Sequence, residues 1–248
     1  MNLKNKTAVI TGCSKGIGLA ILKKFSENSC NIISCTRSKD QEFLDQCKII
    51  MKKNKMNIHN FFCDMENEED VLNTSSEIAK KFEKVDILIN NAGSNLTSLI
   101  QMTKATDLHK IFQINYFSIF LFTQTILKNM MRNKSGNIIN ISSSAAYDAP
   151  IGRSVYTASK SALEKFSKTL SKECSTFNIR SNVIAPGLID TNMMKTSTDP
   201  KKLEDIIKKL PSKRVGKPEE IADLALFLVS DKSNYINGQI LRVDGGMI

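Results

Sequence analysis

The sequence predicts an α/β fold: one doubly wound domain over residues 1–248, built on a seven-stranded parallel sheet with helices on both faces. Three observations carry this expectation. Seven short runs of β-branched and apolar residues recur along the 248 residues. Longer segments with apolar residues at helical spacing lie between them, and no fixed-period repeat, low-complexity tract or Pro/Gly-rich linker breaks the alternation. Strands that are apolar throughout and separated by helices belong to a parallel sheet covered on both faces. A chain of this length closes one such domain around a sizeable core.

The expected strands, in order, are TAVIT (7–11), NIISC (31–35), NIHNFF (57–62), DILIN (86–90), NIINIS (137–142), IRSNVIA (179–185) and QILRV (239–243). Helical spacing covers 16–28, 67–82, 103–131, 154–175 and 218–230. The stretch 187–212 is the least regular. It is polar, contains Pro200 and Pro211 and follows a strand, so it is expected to be a mobile substrate loop.

Composition narrows the classes of function. Hydrophobic residues make up 41% and charged residues 24%, which excludes disorder as the default. The net charge of +10 comes from lysines scattered in pairs along the chain, which read as a solvated surface. With 6% aromatic residues and no clustered basic helix, nucleic acid is not an expected partner. The most apolar window, 111–127, is interrupted by Gln113, Asn115 and Gln124, so a buried helix is expected and no membrane span. The start, MNLKNKTAVITG, runs directly into a strand and leaves no room for an export signal. Six cysteines without a CxxC pair, and only His59 and His109 beside them, read as buried thiols; no metal site is expected. A reducing, cytoplasmic setting fits them.

The segment TGCSKGIG, residues 11–18, closes the first strand and opens the first helix. Gly12, Gly16 and Gly18 let the backbone turn tightly and approach a pyrophosphate. The amides from Ser14, Lys15 and Ile17 onward, with the positive end of the helix, attract its charge. This spacing differs from GxGxxG and resembles the TGxxxGxG loop of the short-chain dehydrogenase/reductase family. The resemblance extends along nearly the whole chain: DM at 64–65, NNAG at 90–93, Asn115, ISS at 141–143, YTASK at 156–160, PG at 186–187 and VDGG at 243–246.

The resemblance implies a Rossmann-like fold, a nicotinamide cofactor and carbonyl–alcohol chemistry. The second strand ends CTRS, without the acid that would bind the adenosine ribose of NAD. Arg37 there and Lys15 in the loop would neutralise a 2′-phosphate, so NADPH is the expected cofactor, although Asp40 lies close by in sequence. By resemblance, Asp64 and Met65 hold the adenine, and Asn91, Ala92 and Gly93 line the adenosine side. By the same resemblance, Pro186, Gly187, Ile189 and Thr191 meet the nicotinamide.

Reducing a ketone requires a proton donor to its oxygen. Tyr156 and Lys160 are four apart on an expected helix, hence on one face, where an ammonium stabilises a phenolate. Ser143, at the end of a strand, is expected to hold the substrate oxygen near Tyr156, with Ser142 and Ser144 as its neighbours. Asn115 completes the family's Ser-Tyr-Lys-Asn tetrad by holding a relay water. The tail 210–247 resembles 3-oxoacyl-(acyl-carrier-protein) reductases of fatty-acid synthesis, which implies 3-oxoacyl substrates and a homotetramer. Two features depart from that branch. The segment after NNAG reads SNLTS, without an acid or base. Arg132 and Lys134 are expected to dock an acidic carrier, but Phe177 stands where a further cation is expected. The alternatives are an oxidoreductase for another ketone, sugar or alcohol and, more remotely, a non-catalytic dinucleotide sensor.

Overall fold

The computed structural model describes residues 1–197 and 200–247, with Pro200, Lys201 and Lys202 described by their backbone alone. Seven strands form one parallel sheet: β1 (Thr7–Thr11), β2 (Asn31–Thr36), β3 (Ile58–Phe62), β4 (Ile87–Asn90), β5 (Gly136–Ile141), β6 (Ile179–Pro186) and β7 (Ile240–Val243). Their order across the sheet is β3-β2-β1-β4-β5-β6-β7. The chain therefore winds outward from β1 in one direction, then returns and winds outward from β4 in the other. The crevice at the carboxyl ends of β1 and β4 is where such a sheet opens to a ligand.

Alternation along the strands sorts the side chains into two cores. Ala8, Ile10 and Ile32 face α1 (Gly16–Glu27) and α10 (Pro218–Val229), packing with Ile21, Phe25 and Ala222. Val9, Ile33 and Leu88 face the opposite side, with Val71 of α3 (Glu68–Lys81) and Phe122 and Ile126 of α5 (Ser118–Arg132). Helix α7 (Ser154–Glu173) lies on that second face and contributes Leu170. Among the described residues no helix is long and apolar enough to cross a membrane.

Three expectations change. The segment expected as one helix over 103–131 is divided: α4 (Ala105–Phe112) passes through a π-helical turn, Gln113–Phe117, into α5. Asn115 sits in that turn, fully buried. The stretch 187–212 is not loop throughout. It carries α8 (Asn192–Ser197) and α9 (Pro200–Lys209), the latter amphipathic, while residues 198 and 199 of the expected loop lie outside the described residues. Helix α2 (Gln41–Asn54) was not among the expected segments, because its buried face is only Phe43, Cys47 and Ile50 in an otherwise polar run. A single turn, α6 (Ala145–Asp148), follows β5.

Candidate active site

The phosphate loop is braced from β4. The Nδ2 of Asn91 donates to the carbonyls of Thr11 at 3.0 Å and Gly12 at 2.9 Å. In return, the Thr11 hydroxyl accepts from the amides of Asn91 and Ala92, both at 3.0 Å. Gly12 has φ +65°, and a Cβ there would stand 2.8 Å from the Ala92 Cα. A Cβ on Gly18 would stand 2.4 Å from the Gly12 carbonyl oxygen. Only glycine permits this approach. The side-chain amide nitrogen of Asn91, expected to line adenosine, is thus spent on the loop itself.

Helix α1 starts at Gly16 with no side-chain cap and no acid in its first turn. Its amides and positive end therefore stay available to an anion, which fits the pyrophosphate that the glycine loop implies. Ser14 and Ile17 flank this turn, half-buried. Gly16 lies against Thr191, whose methyl would be 3.2 Å from an added Cβ, so the loop after β6 closes one side of the cradle.

Arg37 and Lys15 are both exposed beside this cradle, and among the described residues neither forms an ion pair. Asp40, which complicates the reading of the cofactor in sequence, is turned away: its carboxylate caps α2, accepting from the amides of Glu42 and Phe43. Asp40 is therefore not aimed at a ribose from the end of β2. The Asp64 carboxylate accepts from the Glu66 amide at 3.0 Å, and the buried Met65 offers its carbonyl to Ser118 at 2.7 Å.

Around Tyr156 the structure separates three adjacent serines. Ser142 Oγ donates to Glu164 Oε1 at 2.7 Å, and Ser144 Oγ points to the Met247 sulfur at 3.7 Å. Ser143 Oγ accepts the Ala145 amide at 3.2 Å, and of the three serines it is the one that draws the Tyr156 phenol down. Burial pushes the phenol up from its ordinary range; Ser143, then the charge of Arg153, pull it back. Lys160 is buried, donates to the Ile141 carbonyl at 2.9 Å and is pulled down to about 8 by burial, against the weaker pull of Glu164. Burial thus opposes the charged form of both side chains, and at neutral pH Lys160 keeps most of its proton.

Asn115 is satisfied within the protein. Its Oδ1 accepts the Ser94 amide at 2.8 Å; its Nδ2 donates to the Ser94 carbonyl at 2.9 Å and to Ser159 Oγ at 3.0 Å. Gly93 lies between this side chain and the lysine: an added Cβ would be 3.3 Å from both Asn115 Oδ1 and Lys160 Nζ. On the far wall, the Gly187 amide donates to the Val243 carbonyl at 2.9 Å, and the Pro186 carbonyl accepts from Ser144 at 2.8 Å. Ile189 is buried, and the Thr191 hydroxyl accepts the Met194 amide at 3.3 Å. Ser143, Tyr156, Lys160, Asn115 and Gly93 are thus gathered at the carboxyl ends of β4 and β5.

Two residues around the site, Glu164 beside Lys160 and Arg153 beside Tyr156, were missed in the sequence. Glu164 lies one turn beyond Lys160, a spacing that could have drawn attention to it. Arg153 lies one turn before Tyr156, where nothing but the short spacing signals it. Arg132 and Lys134, expected beside the entrance, stand instead at the end of α5 and just before β5. Because the strands are parallel, that is the end of the sheet opposite Tyr156. Phe177 packs onto the second core.

A family model described as enoyl-(acyl carrier protein) reductase matches residues 12–248. The 3-oxoacyl-(acyl-carrier-protein) reductase of Buchnera aphidicola subsp. Baizongia pistaciae is 38% identical, over 100% of this chain and 99% of its own length. The enzyme of the same name from Chlamydia trachomatis is 37% identical over 99% of this chain and 98% of its own. Among solved structures, a putative NAD(P)-dependent gluconate 5-dehydrogenase from Beutenbergia cavernae with bound NADP superposes with a TM-score of 0.92 at 26% identity, covering 99% and 97% of the two chains. A 7α-hydroxysteroid dehydrogenase holding NADH and 7-oxo glycochenodeoxycholic acid gives 0.91 at 30%, covering 100% and 96%. With the sheet order, the glycine loop and the serine–tyrosine–lysine cluster in place, these full-length likenesses settle the affiliation: the chain belongs to the short-chain dehydrogenase/reductase family.

Proposed function

We propose that the chain is an NADPH-dependent oxidoreductase that reduces 3-oxoacyl groups carried on acyl carrier protein to 3-hydroxyacyl groups, in the cytoplasm and as a homotetramer. The observation that carries the substrate class is an apolar groove of about 360 Å³ running out from the start of α7, between Leu99–Gln101 and Ala149–Gly152. Ile100 and Ile151 in its walls are 77% and 91% exposed, apolar area of the kind that receives an acyl chain. The full-length relatives named for this reaction support the same reading. An aromatic cluster of Tyr116, Phe117, Phe120 and Phe166, with Phe117 and Phe120 on the surface, supports assembly through α5 and α7.

The glycine loop from Gly12 to Gly18, with Arg37 and Lys15, would hold NADPH, which when bound would supply the hydride for the substrate carbon. The chain's own groups handle the oxygen. Ser143 donates a hydrogen bond to the carbonyl and holds it against Tyr156, which gives up its phenolic proton as the oxygen becomes an alkoxide. Lys160, buried one turn from Tyr156 and still protonated at neutral pH, returns a proton toward the phenolate. Asn115 fixes the Ser94 backbone and Ser159, holding the segment after β4 beside Lys160. Arg37 and Lys15 favour the 2′-phosphate.

A second reading, reduction of a ketone without a carrier, is favoured by the placement of Arg132 and Lys134 at the far end of the sheet. NADPH oxidation by the purified protein, with acetoacetyl-carrier and acetoacetyl-coenzyme A thioesters beside simple ketones and sugars, separates the two. Turnover fastest on the carrier form is expected. Turnover on ketones with none on thioesters would replace the first reading by the second.

A further inference from the structure

Arg153 immediately precedes α7, and its guanidinium is half-buried in the mouth of the site. Burial holds its pKa below that of a free arginine, and no carboxylate is among the groups acting on it. Among the described residues it forms no ion pair. Nη1 donates to Asn95 Oδ1, on the segment after β4. Nη2 donates to the carbonyl of Ser197, the last residue of α8, at 3.3 Å. Its Cζ lies 6.0 Å from the centroid of the Tyr156 ring. A desolvated guanidinium without a counter-ion is costly to keep, so its place beside the phenol calls for a role.

Lys160 is pulled down to about 8 by burial, so its positive charge fades as the pH rises through that value. Arginine keeps its charge over the whole working range. The other charged groups around the site are engaged elsewhere. Glu164 of α7 is held by Ser142 at 2.7 Å. Asp190 and Lys195, after β6, pair with each other at 2.8 Å, and Arg242 of β7 is bound by Asp148 and Asp244 at 3.0 and 2.6 Å. Ser143 faces the phenol from after β5 and is neutral.

We propose that Arg153 is a positioning residue for Tyr156: it keeps a permanent positive charge beside the phenol and, by gripping Asn95 and the Ser197 carbonyl, ties the segments after β4 and β6 across the mouth of the site. The charge favours the phenolate left behind when the proton is given to substrate. The two hydrogen bonds hold the segments of Asn95 and Ser197 to the start of α7, one turn before Tyr156. This rests on Tyr156 being the acid and is independent of which ketone it serves.

The test compares Arg153→Gln, which removes the charge, with Arg153→Lys, which keeps it and loses the fork. Phenolate absorbance is followed against pH in each variant of the protein, with the matching Tyr156→Phe double variant subtracted so that only Tyr156 is read. The pH dependence of kcat/KM for NADPH oxidation is measured alongside. Arg153→Gln is expected to raise the Tyr156 titration and the alkaline limb of the profile by about half to one pH unit, the size of a unit charge acting across a half-solvated site. Its kcat should fall by about three- to tenfold, while Arg153→Lys stays near the wild-type titration with a raised KM. A wild-type titration in Arg153→Gln, or an equal shift in both variants, overturns the role of the charge. Asn95→Ala, which spares the charge, is expected to raise KM alone; an unchanged KM overturns the tie. A shifted phenol titration without turnover on any 3-oxoacyl thioester upholds Arg153 and removes the substrate assignment instead.

Discussion

Ser142 Oγ donates to Glu164 at 2.7 Å and Ser144 Oγ points to Met247, whereas Ser143 Oγ accepts the Ala145 amide at 3.2 Å and is the one of the three serines that draws the Tyr156 phenol down. The three serines should therefore separate in mutagenesis. Ser143→Ala is expected to lower kcat by about 10²-fold with little change in the urea midpoint, the loss seen when one hydrogen-bond donor to a developing oxyanion is removed. Ser142→Ala should lower stability by about 1–2 kcal/mol through the lost bond to a partly buried carboxylate, with kcat falling far less. Equal kcat losses in the two variants would contradict the assignment.

Lys160 makes stability depend on pH in a direction that can be worked out. Its pKa in the folded chain is about 8, below the 10.5 of a free lysine, so the unfolded chain binds this proton more tightly. Below pH ~8 the folded state bears the full penalty; as pH rises from about 8 to about 10.5 the penalty disappears. Lys160→Met should therefore stabilise the cofactor-free protein by about 1–3 kcal/mol near pH 7, after the lost bond to the Ile141 carbonyl is set against the gain. The advantage should vanish above pH ~10.5. Thermal unfolding across this pH range, together with loss of turnover in the same variant, is the check.

Arg37 is exposed at the end of β2, and Asp40, the acid nearest to it in sequence, is committed to capping α2. Arg37→Glu should raise the Kd for NADPH by about 10- to 100-fold and leave that for NADH within a few-fold, since a charge-assisted phosphate contact is worth about 1.5–3 kcal/mol. Fluorescence titration with both cofactors reads this directly. An unchanged NADPH affinity would show that the 2′-phosphate is held elsewhere.

Strand positions were legible because a strand buried on both faces has to be apolar throughout. The run NIISC, for example, carries its own evidence, and β2 extends it only to Thr36. The glycine loop was legible for the same kind of reason: no other residue fits the approach of Gly12 to Ala92. The π-turn at Asn115 was not, because one extra residue in a helix leaves the apolar pattern almost intact and is fixed by a partner, Ser94, distant in sequence. Helices α8 and α9 were hidden by their polar composition, since an exposed amphipathic helix with prolines at its borders reads like a loop. Burial, which lowers Lys160 and raises Tyr156, is likewise something that spacing alone does not give. Arg132 and Lys134 were misplaced because a local resemblance does not say which end of a strand a residue occupies.

Tyr156→Phe tests the central claim most directly, because it removes one oxygen from a side chain that makes no backbone hydrogen bond through it. NADPH oxidation on the best substrate should fall by at least about 10²-fold, the usual worth of a positioned general acid, while NADPH affinity and thermal stability remain near wild type. Full turnover by this variant would contradict the account of Tyr156 as the proton donor.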